Sequence, residues 1–212
     1  MSKENHIQKI LRDRIVAIIR LPQGKMVGEV VEQLILGGIN TLEITTNTPN
    51  FNLEIEKVRK NHPKTLIGAG TVTNQKLAEK AIASGAQFLV TPNTNKEVAK
   101  VARNSNVPIL MGAFTPTEVS NAMQYGADII KLYPANLLGI PHFKAMAAPF
   151  DKVNFFAVGG ITLKNIDSWL NAGINGLGIG GSLVPSFVSN TKDLDLIRTT
   201  AHQFTERISK PL

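Results

Sequence analysis

One structural unit recurs along the whole 212-residue chain. Each copy has a short apolar segment rich in β-branched residues, then a turn rich in Gly, Pro, Thr and Asn, then a stretch with the apolar spacing of a helix. The strand-like segments are residues 15–20, 41–46, 66–72, 88–92, 108–114, 128–134, 155–161 and 176–183. The helix-like segments between them are residues 25–36, 51–61, 75–84, 96–105, 116–125, 141–147 and 163–171. Alternation of this kind predicts parallel strands joined by helical crossovers.

Turn and cap residues agree with this division. Candidate helix N-caps are Thr73 or Asn74, Asn93 or Asn95, and Thr115, which is followed by Pro116. Glycines that can adopt a left-handed cap follow the helices at Gly37, Gly38, Gly85, Gly126 and Gly173. We therefore predict an α/β fold: a single (β/α)8 TIM barrel formed by residues 1–212 as one domain, with an extra N-terminal helix (3–11) and a C-terminal helix (193–207). A doubly wound open sheet is the alternative, but eight near-equal units favour closure.

Composition excludes several classes of site and partner. The chain has no cysteine, and its four histidines (His6, His62, His142 and His202) lack metal-ligand spacing, so we expect no metal. The net charge of +7 is spread without a basic run, so we expect no nucleic-acid partner, only a positive bias that suits anionic metabolites. No apolar run approaches the roughly 20 residues that span a bilayer, and the first residues lack a signal-peptide core. We expect a cytoplasmic protein with no membrane partner.

The carboxyl ends of the strands are where a barrel of this kind places its active site. Lys131 begins the closing residues (131–134) of the sixth predicted strand and lies in an otherwise apolar segment, where desolvation favours the neutral amine. Strand alternation directs both Glu43 and Lys131 into the barrel, because their branched apolar neighbours pack against the helices. A neutral amine attacks a ketone to form a Schiff base, and a nearby carboxylate can transfer the protons. The alternatives are a lysine that extends into water and a static Glu43–Lys131 ion pair.

Two glycine pairs occur near the carboxyl ends of the seventh and eighth predicted strands, where tight turns can form. They are Gly159-Gly160 and Gly180-Gly181, the second of which precedes Ser182. Glycine lets phosphate oxygens approach backbone N–H groups, and phosphate sites are common at this position of the fold. Ser182 adds a hydroxyl donor. We predict a phosphate site here, with tight turns that bind no ligand as the alternative.

Six strand-end segments together resemble one enzyme family. They are similar to the class I aldolases that split 2-keto-3-deoxy-6-phosphogluconate (KDPG) or 4-hydroxy-2-oxoglutarate (KHG), including the 2-keto-3-deoxy-6-phosphogalactonate (KDPGal) branch. The resemblance implies cleavage of a small 2-keto acid phosphate to pyruvate and glyceraldehyde 3-phosphate, or of KHG to pyruvate and glyoxylate. It also implies a homotrimer and no metal or organic cofactor. The matching segments are collinear and cover nearly the whole chain: residues 42–45, 67–72, 90–93, 130–135, 158–161 and 178–183.

The resemblance also implies roles for individual residues. The lysine matching Lys131 forms the Schiff base, and the glutamate matching Glu43 carries protons, usually through a water. The threonine matching Thr71 holds the substrate carboxylate, and the proline matching Pro92 lines the pyruvate pocket. The phosphate end matches Gly159, Gly160, Gly180, Gly181 and Ser182.

Two positions depart from the KDPG pattern. Asn47 stands where well-known members carry a carboxylate-binding arginine, and Val158 stands where they often carry threonine. Arg20 ends the first predicted strand and resembles the arginine that other branches use. We therefore assign carboxylate binding to Arg20 and keep Asn47 among the substrate-binding residues. Tyr133 shares the face of Lys131 and either stacks over the pyruvyl group or fills the core.

The preferred substrate is left open by these residues. Asn47 together with residues 157–160 resembles the KDPGal branch, whereas residues 180–183 resemble the KDPG branch. From another class, the alternative is a phosphate-binding barrel without imine chemistry, either an epimerase or decarboxylase or a non-catalytic protein. An epimerase needs paired acids or metal-binding histidines at strand ends, and only Glu43 fits that requirement.

Overall fold

The computed structural model describes residues 2–209. Eight parallel strands pair in sequence order, and β8 pairs with β1, so the sheet closes into a barrel. The predicted (β/α)8 barrel is confirmed, and the open-sheet alternative is wrong. The strands are β1 Ile15–Ile19, β2 Thr41–Thr45, β3 Leu66–Gly70, β4 Leu89–Val90, β5 Ile109–Ala113, β6 Ile129–Leu132, β7 Phe155–Val158 and β8 Gly176–Ile179.

Helices surround the barrel, and one additional helix precedes β1 and another follows β8, as predicted. A short 3-10 turn, Gly24–Met26, leads into the second helix. Within residues 2–209 the helices are α1 Lys3–Asp13, α2 Val27–Leu36, α3 Phe51–Asn61, α4 Gln75–Ala83, α5 Lys96–Asn104, α6 Pro116–Tyr125, α7 Gly139–Ala147, α8 Ile166–Asn171 and α9 Thr191–Ser209. No helix in this part of the chain combines the length and the apolar character needed to cross a bilayer.

The element boundaries differ from prediction mainly at the carboxyl ends of the strands. β7 ends at Val158 rather than at 161, because Gly159 and Gly160 adopt φ values of 101° and 72° and leave the extended conformation. β8 likewise ends at Ile179 rather than at 183. α8 begins at Ile166 rather than at 163, since residues 162–165 form a turn in which the Asn165 N–H donates to the Thr162 carbonyl.

Predicted caps hold three helices in place. The side chains of Asn74, Asn95 and Thr115 each accept a hydrogen bond from the first turn of the helix that follows. Thr115 forms a capping box with Glu118, whose carboxylate accepts from the Thr115 N–H and hydroxyl. These local interactions fix where the helices start and hence how the loops at the carboxyl ends of the strands run.

The interior of the barrel is sealed at the amino ends of the strands, which we call the closed end. α1 packs across it and buries Ile10 completely. The apolar side chains gathered there are Ile10, Val16, Leu66, Phe88, Val90, Leu110, Ile129 and Phe156. The opposite end, where the carboxyl ends of the strands surround a cavity, is the open end.

The alternation of side chains across the sheet is the one predicted. Leu42, Ile44, Ile130 and Leu132 belong to the second apolar cluster, between the strands and the helices. The residues between them therefore point into the barrel. This parity directs Glu43 of β2 and Lys131 of β6 to the interior.

Candidate active site

A cavity of about 700 Å3 occupies the open end of the barrel. Its walls come from the ends of several strands and from the loops that follow them. Most of the residues predicted for the site line this cavity: Arg20, Asn47, Thr71, Pro92, Lys131, Tyr133, Gly159, Gly160, Gly180, Gly181 and Ser182. The structure thus brings together residues that lie far apart in the chain, and it leaves Glu43 as the one predicted residue outside the lining.

Lys131 is a buried lysine that faces the cavity. Its side chain is 5% exposed, and its backbone pairs with Gly112 of β5 and Phe156 of β7. Burial lowers the pKa of Lys131, the Glu43 carboxylate raises it, and the Arg20 guanidinium lowers it, so the pKa lies below that of an exposed lysine. The site therefore favours the neutral, nucleophilic form of the amine.

Glu43 is buried on the other side of the barrel, since β2 and β6 are opposite one another in the closed ring. It is 2% exposed, and burial raises its pKa although Lys131 and Arg20 lower it. Its carboxylate lies against Gly70, where any Cβ atom would overlap Oε1. No salt bridge joins Glu43 to Lys131 in the described part of the chain. The geometry thus gives no support to the static ion pair.

Arg20 and Thr71 form a polar pair at one wall of the cavity. An Nη2 atom of Arg20 donates to the Thr71 hydroxyl at 3.3 Å. Thr71 has a φ of 56°, a left-handed conformation that is strained for a β-branched residue. The hydroxyl of Thr46 holds it by donating to the Thr71 carbonyl at 2.7 Å. A cation beside a fixed hydroxyl is suited to a carboxylate, and Asn47 lies exposed at the same wall.

Tyr133 and Pro92 form apolar surface beside Lys131. The Tyr133 ring is 38% exposed, and its centroid lies 5.0 Å from Nζ of Lys131. Tyr133 therefore does not fill the core, and that alternative is wrong. Pro92 lies in the cavity wall next to β5, where its carbonyl group packs on Gly112 so closely that no side chain would fit.

The two glycine turns lie together and present unpaired backbone donors. Within residues 2–209, the N–H groups of Gly160, Ile161, Gly181 and Ser182 have no acceptor. The Ser182 hydroxyl donates to the Ile161 carbonyl at 2.5 Å, so it links the two turns instead of pointing freely into the cavity. Arg20 and Lys131 are the only described cations in the lining. An anion at the glycine turns would be held by neutral N–H groups.

Several residues of the cavity lining were missed by the sequence interpretation. Ile18 and Gly178 each lie two positions before a predicted site residue, so strand parity was a signal that pointed to them. Val184 and Ser186 follow β8 in an irregular loop, where no periodicity marks them. The lining residues that were not assigned to the site are Ile18, Val158, Ile161, Thr162, Gly178, Val184 and Ser186, of which Val158 was noted only as a departure from the KDPG pattern.

Among the described side chains, no group of three or more His, Asp or Glu residues gathers where it could hold a metal ion. Glu43 is the only carboxylate that the site brings close to Lys131 and Arg20 in this part of the chain. The expectation that neither a metal nor an organic cofactor is needed stays a prediction.

Comparisons with known proteins agree with this geometry. The family model described as KDPG and KHG aldolase matches residues 7–200. A 2-dehydro-3-deoxy-phosphogluconate aldolase of Dickeya dadantii is 32% identical over 191 residues, which cover 89% of each chain. A 2-dehydro-3-deoxy-6-phosphogalactonate aldolase of Escherichia coli is 34% identical over 160 residues, which cover 74% of this chain and 76% of the relative.

A solved structure carries the same fold with an intermediate bound. It is a KDPG aldolase from Legionella pneumophila with pyruvate captured as a covalent carbinolamine intermediate. The two folds superpose with a TM-score of 0.80 and 26% sequence identity, covering 95% of both chains. The family model matches nearly the whole barrel, and the matched residues include Lys131 and the lining of the cavity. This chain therefore belongs to the KDPG and KHG aldolase family.

Proposed function

We propose that this class I aldolase, a single-domain enzyme, cleaves KDPG to pyruvate and glyceraldehyde 3-phosphate through a Schiff base on Lys131. One observation carries the proposal: Lys131 is 5% exposed and faces a cavity of about 700 Å3. Burial lowers its pKa, and within residues 2–209 it forms no salt bridge with Glu43. A lysine whose pKa is lowered by burial, with a buried carboxylate on the facing strand, is suited to imine formation.

The reaction begins at Nζ of Lys131. The neutral amine attacks the C2 ketone of the 2-keto acid and forms a carbinolamine, which loses water to give the Schiff base. Glu43 transfers the protons that dehydration requires, by way of a water. Its raised pKa makes it a better proton acceptor than an ordinary glutamate while it stays able to give the proton back.

Bond cleavage follows from the protonated imine. Glu43, through the water, removes the proton of the C4 hydroxyl, the C3–C4 bond breaks, and its electron pair moves into the iminium to give an enamine. The C4 fragment leaves as the aldehyde glyceraldehyde 3-phosphate. C3 of the enamine is then protonated, and hydrolysis of the imine releases pyruvate and restores the amine of Lys131.

The two ends of the substrate are assigned to opposite walls of the cavity. Arg20 and Thr71 hold the carboxylate, as their 3.3 Å hydrogen bond and the strained backbone of Thr71 support. Pro92 and Tyr133 pack against the pyruvyl group beside Lys131. Asn47 contacts the substrate from the rim. The phosphate is bound at the free N–H groups of the glycine turns, formed by Gly159, Gly160, Gly180, Gly181 and Ser182.

KDPGal is the second candidate substrate, and specific features favour it. The substrate carboxylate is bound by Arg20 rather than by residue 47. Val158, which has no hydroxyl, lines the cavity. KDPG and KDPGal differ only in the orientation of one hydroxyl, at C4, so a single side chain can decide between them. KHG, which lacks the phosphate, is a further substrate that the same lysine chemistry can cleave, to pyruvate and glyoxylate.

Borohydride trapping tests the imine directly. The protein is incubated with pyruvate and sodium borohydride without added metal, and its peptides are analysed by mass spectrometry. We expect a reduced pyruvyl adduct on Lys131. Lys131→Met should form none, and Lys144→Met, which changes an exposed lysine of α7, should form as much as the wild type. Folded wild-type protein that forms no adduct would remove the imine mechanism and leave the phosphate-binding barrel without imine chemistry.

Kinetics on the two epimers tests the substrate. We expect a higher kcat/KM for KDPG than for KDPGal. The reverse order would assign the protein to the phosphogalactonate branch. Equal turnover would show that neither preference applies.

The homotrimer and the cytoplasmic location belong to the same proposal. Leu137 and Leu138 lie in the turn between β6 and α7, are 68% and 55% exposed, and offer apolar surface that a neighbouring subunit can cover. Light scattering of the purified protein should give three times the mass of the 23.0 kDa chain. The mass of a single chain would remove the trimer without affecting the reaction.

A further inference from the structure

Within residues 2–209, asparagines directly precede five helices (Asn50, Asn74, Asn95, Asn165 and Asn190), and their side chains are used in different ways. The Oδ1 atoms of Asn74 and Asn95 accept from the N–H groups of Leu77 and Val98, both at 3.0 Å, and so cap α4 and α5. Asn165 occupies the same position before α8 but makes no such bond to its helix. Its side chain has another partner.

The side chain of Asn165 turns back onto the glycine turn that follows β7. Its Nδ2 donates to the Gly160 carbonyl at 2.8 Å, and its Oδ1 accepts from the Thr162 N–H at 2.8 Å. The Ser182 hydroxyl donates to the carbonyl between them, that of Ile161, at 2.5 Å. One amide and one hydroxyl thus fix two consecutive peptide units.

These contacts leave a single polar group of the two peptide units unpaired. The units 160–161 and 161–162 contain two carbonyls and two N–H groups, of which three are bonded as described. The fourth, the Ile161 N–H, has no acceptor in the described part of the chain.

Peptide geometry decides where that N–H points. A trans peptide directs its carbonyl and its N–H to opposite sides. Holding the Gly160 carbonyl against Asn165 therefore directs the Ile161 N–H away from Asn165. Gly160 and Ile161 line the cavity, whereas Asn165 does not, so the side away from Asn165 is the cavity side.

We propose that Asn165 is a positioning residue for phosphate recognition: it orients the Ile161 N–H toward the phosphate of the bound substrate. The inference rests on the proposed function, because it requires a phosphorylated substrate. Asn165 touches neither the substrate nor Lys131, and it acts through the backbone of residues 160–162. Its loss should weaken binding of the phosphate and leave the imine chemistry intact.

The chain offers a matched control for a purely structural role. Asn175 braces β7 itself, at the closed end of the strand, because its Oδ1 accepts from the Phe155 N–H at 2.8 Å. Both asparagines are partly buried. Asn175→Ala removes a side-chain-to-backbone hydrogen bond of similar length from β7 without touching the glycine turn that follows the strand.

The test compares phosphorylated and unphosphorylated ligands. For Asn165→Ala we expect kcat/KM with KDPG to fall roughly 10- to 100-fold, mainly through KM, as the loss of a hydrogen bond to a charged group predicts. Competitive inhibition by inorganic phosphate should weaken in parallel. The pyruvate concentration that half-saturates borohydride trapping on Lys131 should stay unchanged. Asn165→Asp, which keeps the acceptor, loses the donor and adds a negative charge, should weaken phosphate binding at least as much and serves as the second variant if Asn165→Ala does not fold.

Two results would overturn the proposal. One is an equal effect of Asn165→Ala on KDPG and on pyruvate, or no effect on either. The other is the same phosphate-selective loss in Asn175→Ala. Failure of the proposed function looks different, since the wild type would then form no adduct on Lys131. In that event calorimetric binding of inorganic phosphate to the wild type and to Asn165→Ala still decides the role of Asn165.

Discussion

The open and closed ends of the barrel are built from the same eight strands, but they differ in what they bury. At the closed end the interior is filled by apolar side chains, with Ile10 of α1 completing the seal. At the open end the interior holds Glu43 and Lys131, which are 2% and 5% exposed. β6 carries both patterns, since Ile129 lies in the apolar cluster and Lys131, two residues further along the same face, faces the cavity.

The closed end therefore contributes mainly to the stability of the fold, whereas the open end carries the groups for the chemistry. Burying apolar area stabilises the fold, whereas burying a carboxylate and an amine without a salt bridge opposes it. The raised pKa of Glu43 and the lowered pKa of Lys131 both reflect this burial. Substitutions at the open end should therefore reduce activity without loss of stability, and substitutions at the closed end should do the reverse.

Glu43→Gln should give the largest effect and tests the open end. The amide keeps the shape of the side chain but cannot take up a proton, so we expect kcat to fall roughly 10²- to 10⁴-fold. The unfolding midpoint should not fall, because burial disfavours the carboxylate that is removed. Since the Glu43 charge raises the pKa of Lys131, its removal should also shift the pH profile of pyruvate trapping to lower pH.

Glu54→Gln is the control for this variant. Glu54 is also a buried glutamate, 7% exposed, but it pairs with Lys57 on α3, outside the cavity lining. Its kcat should equal that of the wild type. Full activity of Glu43→Gln would remove Glu43 from the proton transfer.

Ile10→Ala tests the closed end. The side chain is fully buried in the seal, so truncation should lower the free energy of unfolding by about 2–5 kcal/mol. Steady-state kcat and KM, measured well below the unfolding temperature, should be those of the wild type. Leu196→Ala, which truncates an exposed apolar residue of α9, should change stability little. A loss of kcat in folded Ile10→Ala would mean that the two ends are coupled.

Much of the fold and of the chemistry was predictable because the signals are local. Strand parity in residues 41–46 and 128–134 was sufficient to direct Glu43 and Lys131 inward, and glycines marked the turns after β7 and β8. The strands were predicted too long for a local reason as well. The sequence pattern does not reveal that Gly159 and Gly160 leave the extended conformation immediately after Val158.

The parts that were not predictable depend on contacts between distant segments. An asparagine before a helix predicts a cap, and for Asn74 and Asn95 that is what forms. Asn165 instead binds residues 160 and 162, a choice that depends on the shape of the preceding glycine turn. The Ser182 hydroxyl likewise finds its acceptor, the Ile161 carbonyl, 21 residues away in the chain.

Arg20→Ala distinguishes the proposed carboxylate site from the proposed phosphate site, both of which lie at the open end. Loss of the guanidinium should raise KM for KDPG and the half-saturating pyruvate concentration in trapping by roughly 10- to 100-fold, as expected for a hydrogen bond to a charged group. Both ligands carry the carboxylate, so both should be affected, in contrast to Asn165→Ala. Arg12→Ala, which removes an exposed arginine at the closed end, is the control. Unchanged pyruvate saturation in Arg20→Ala would show that another residue binds the carboxylate.

The smallest expected effect concerns the attachment of α1 at the closed end. Gln87 uses its Oε1 to accept from the Ile67 N–H at 3.2 Å, so its Nε2 is the donor to Nε2 of His6 at 3.3 Å. This contact requires the neutral imidazole, because a protonated ring has no acceptor. Burial is the main reason that the pKa of His6 lies below its ordinary value.

His6→Gln should therefore change how stability depends on pH. Because the pKa is lower in the folded state, the unfolded chain binds the proton more readily, and stability falls as the pH drops below the unfolded-state value of about 6.5. Above that value the contribution is fully present. We expect the unfolding midpoint of the wild type to decrease from pH 7 to pH 5 more than that of His6→Gln, while His202→Gln, an exposed histidine on α9, follows the wild type. Identical curves for wild type and His6→Gln would show that protonation of His6 does not loosen the seal, and that the closed end depends on apolar packing such as that of Ile10.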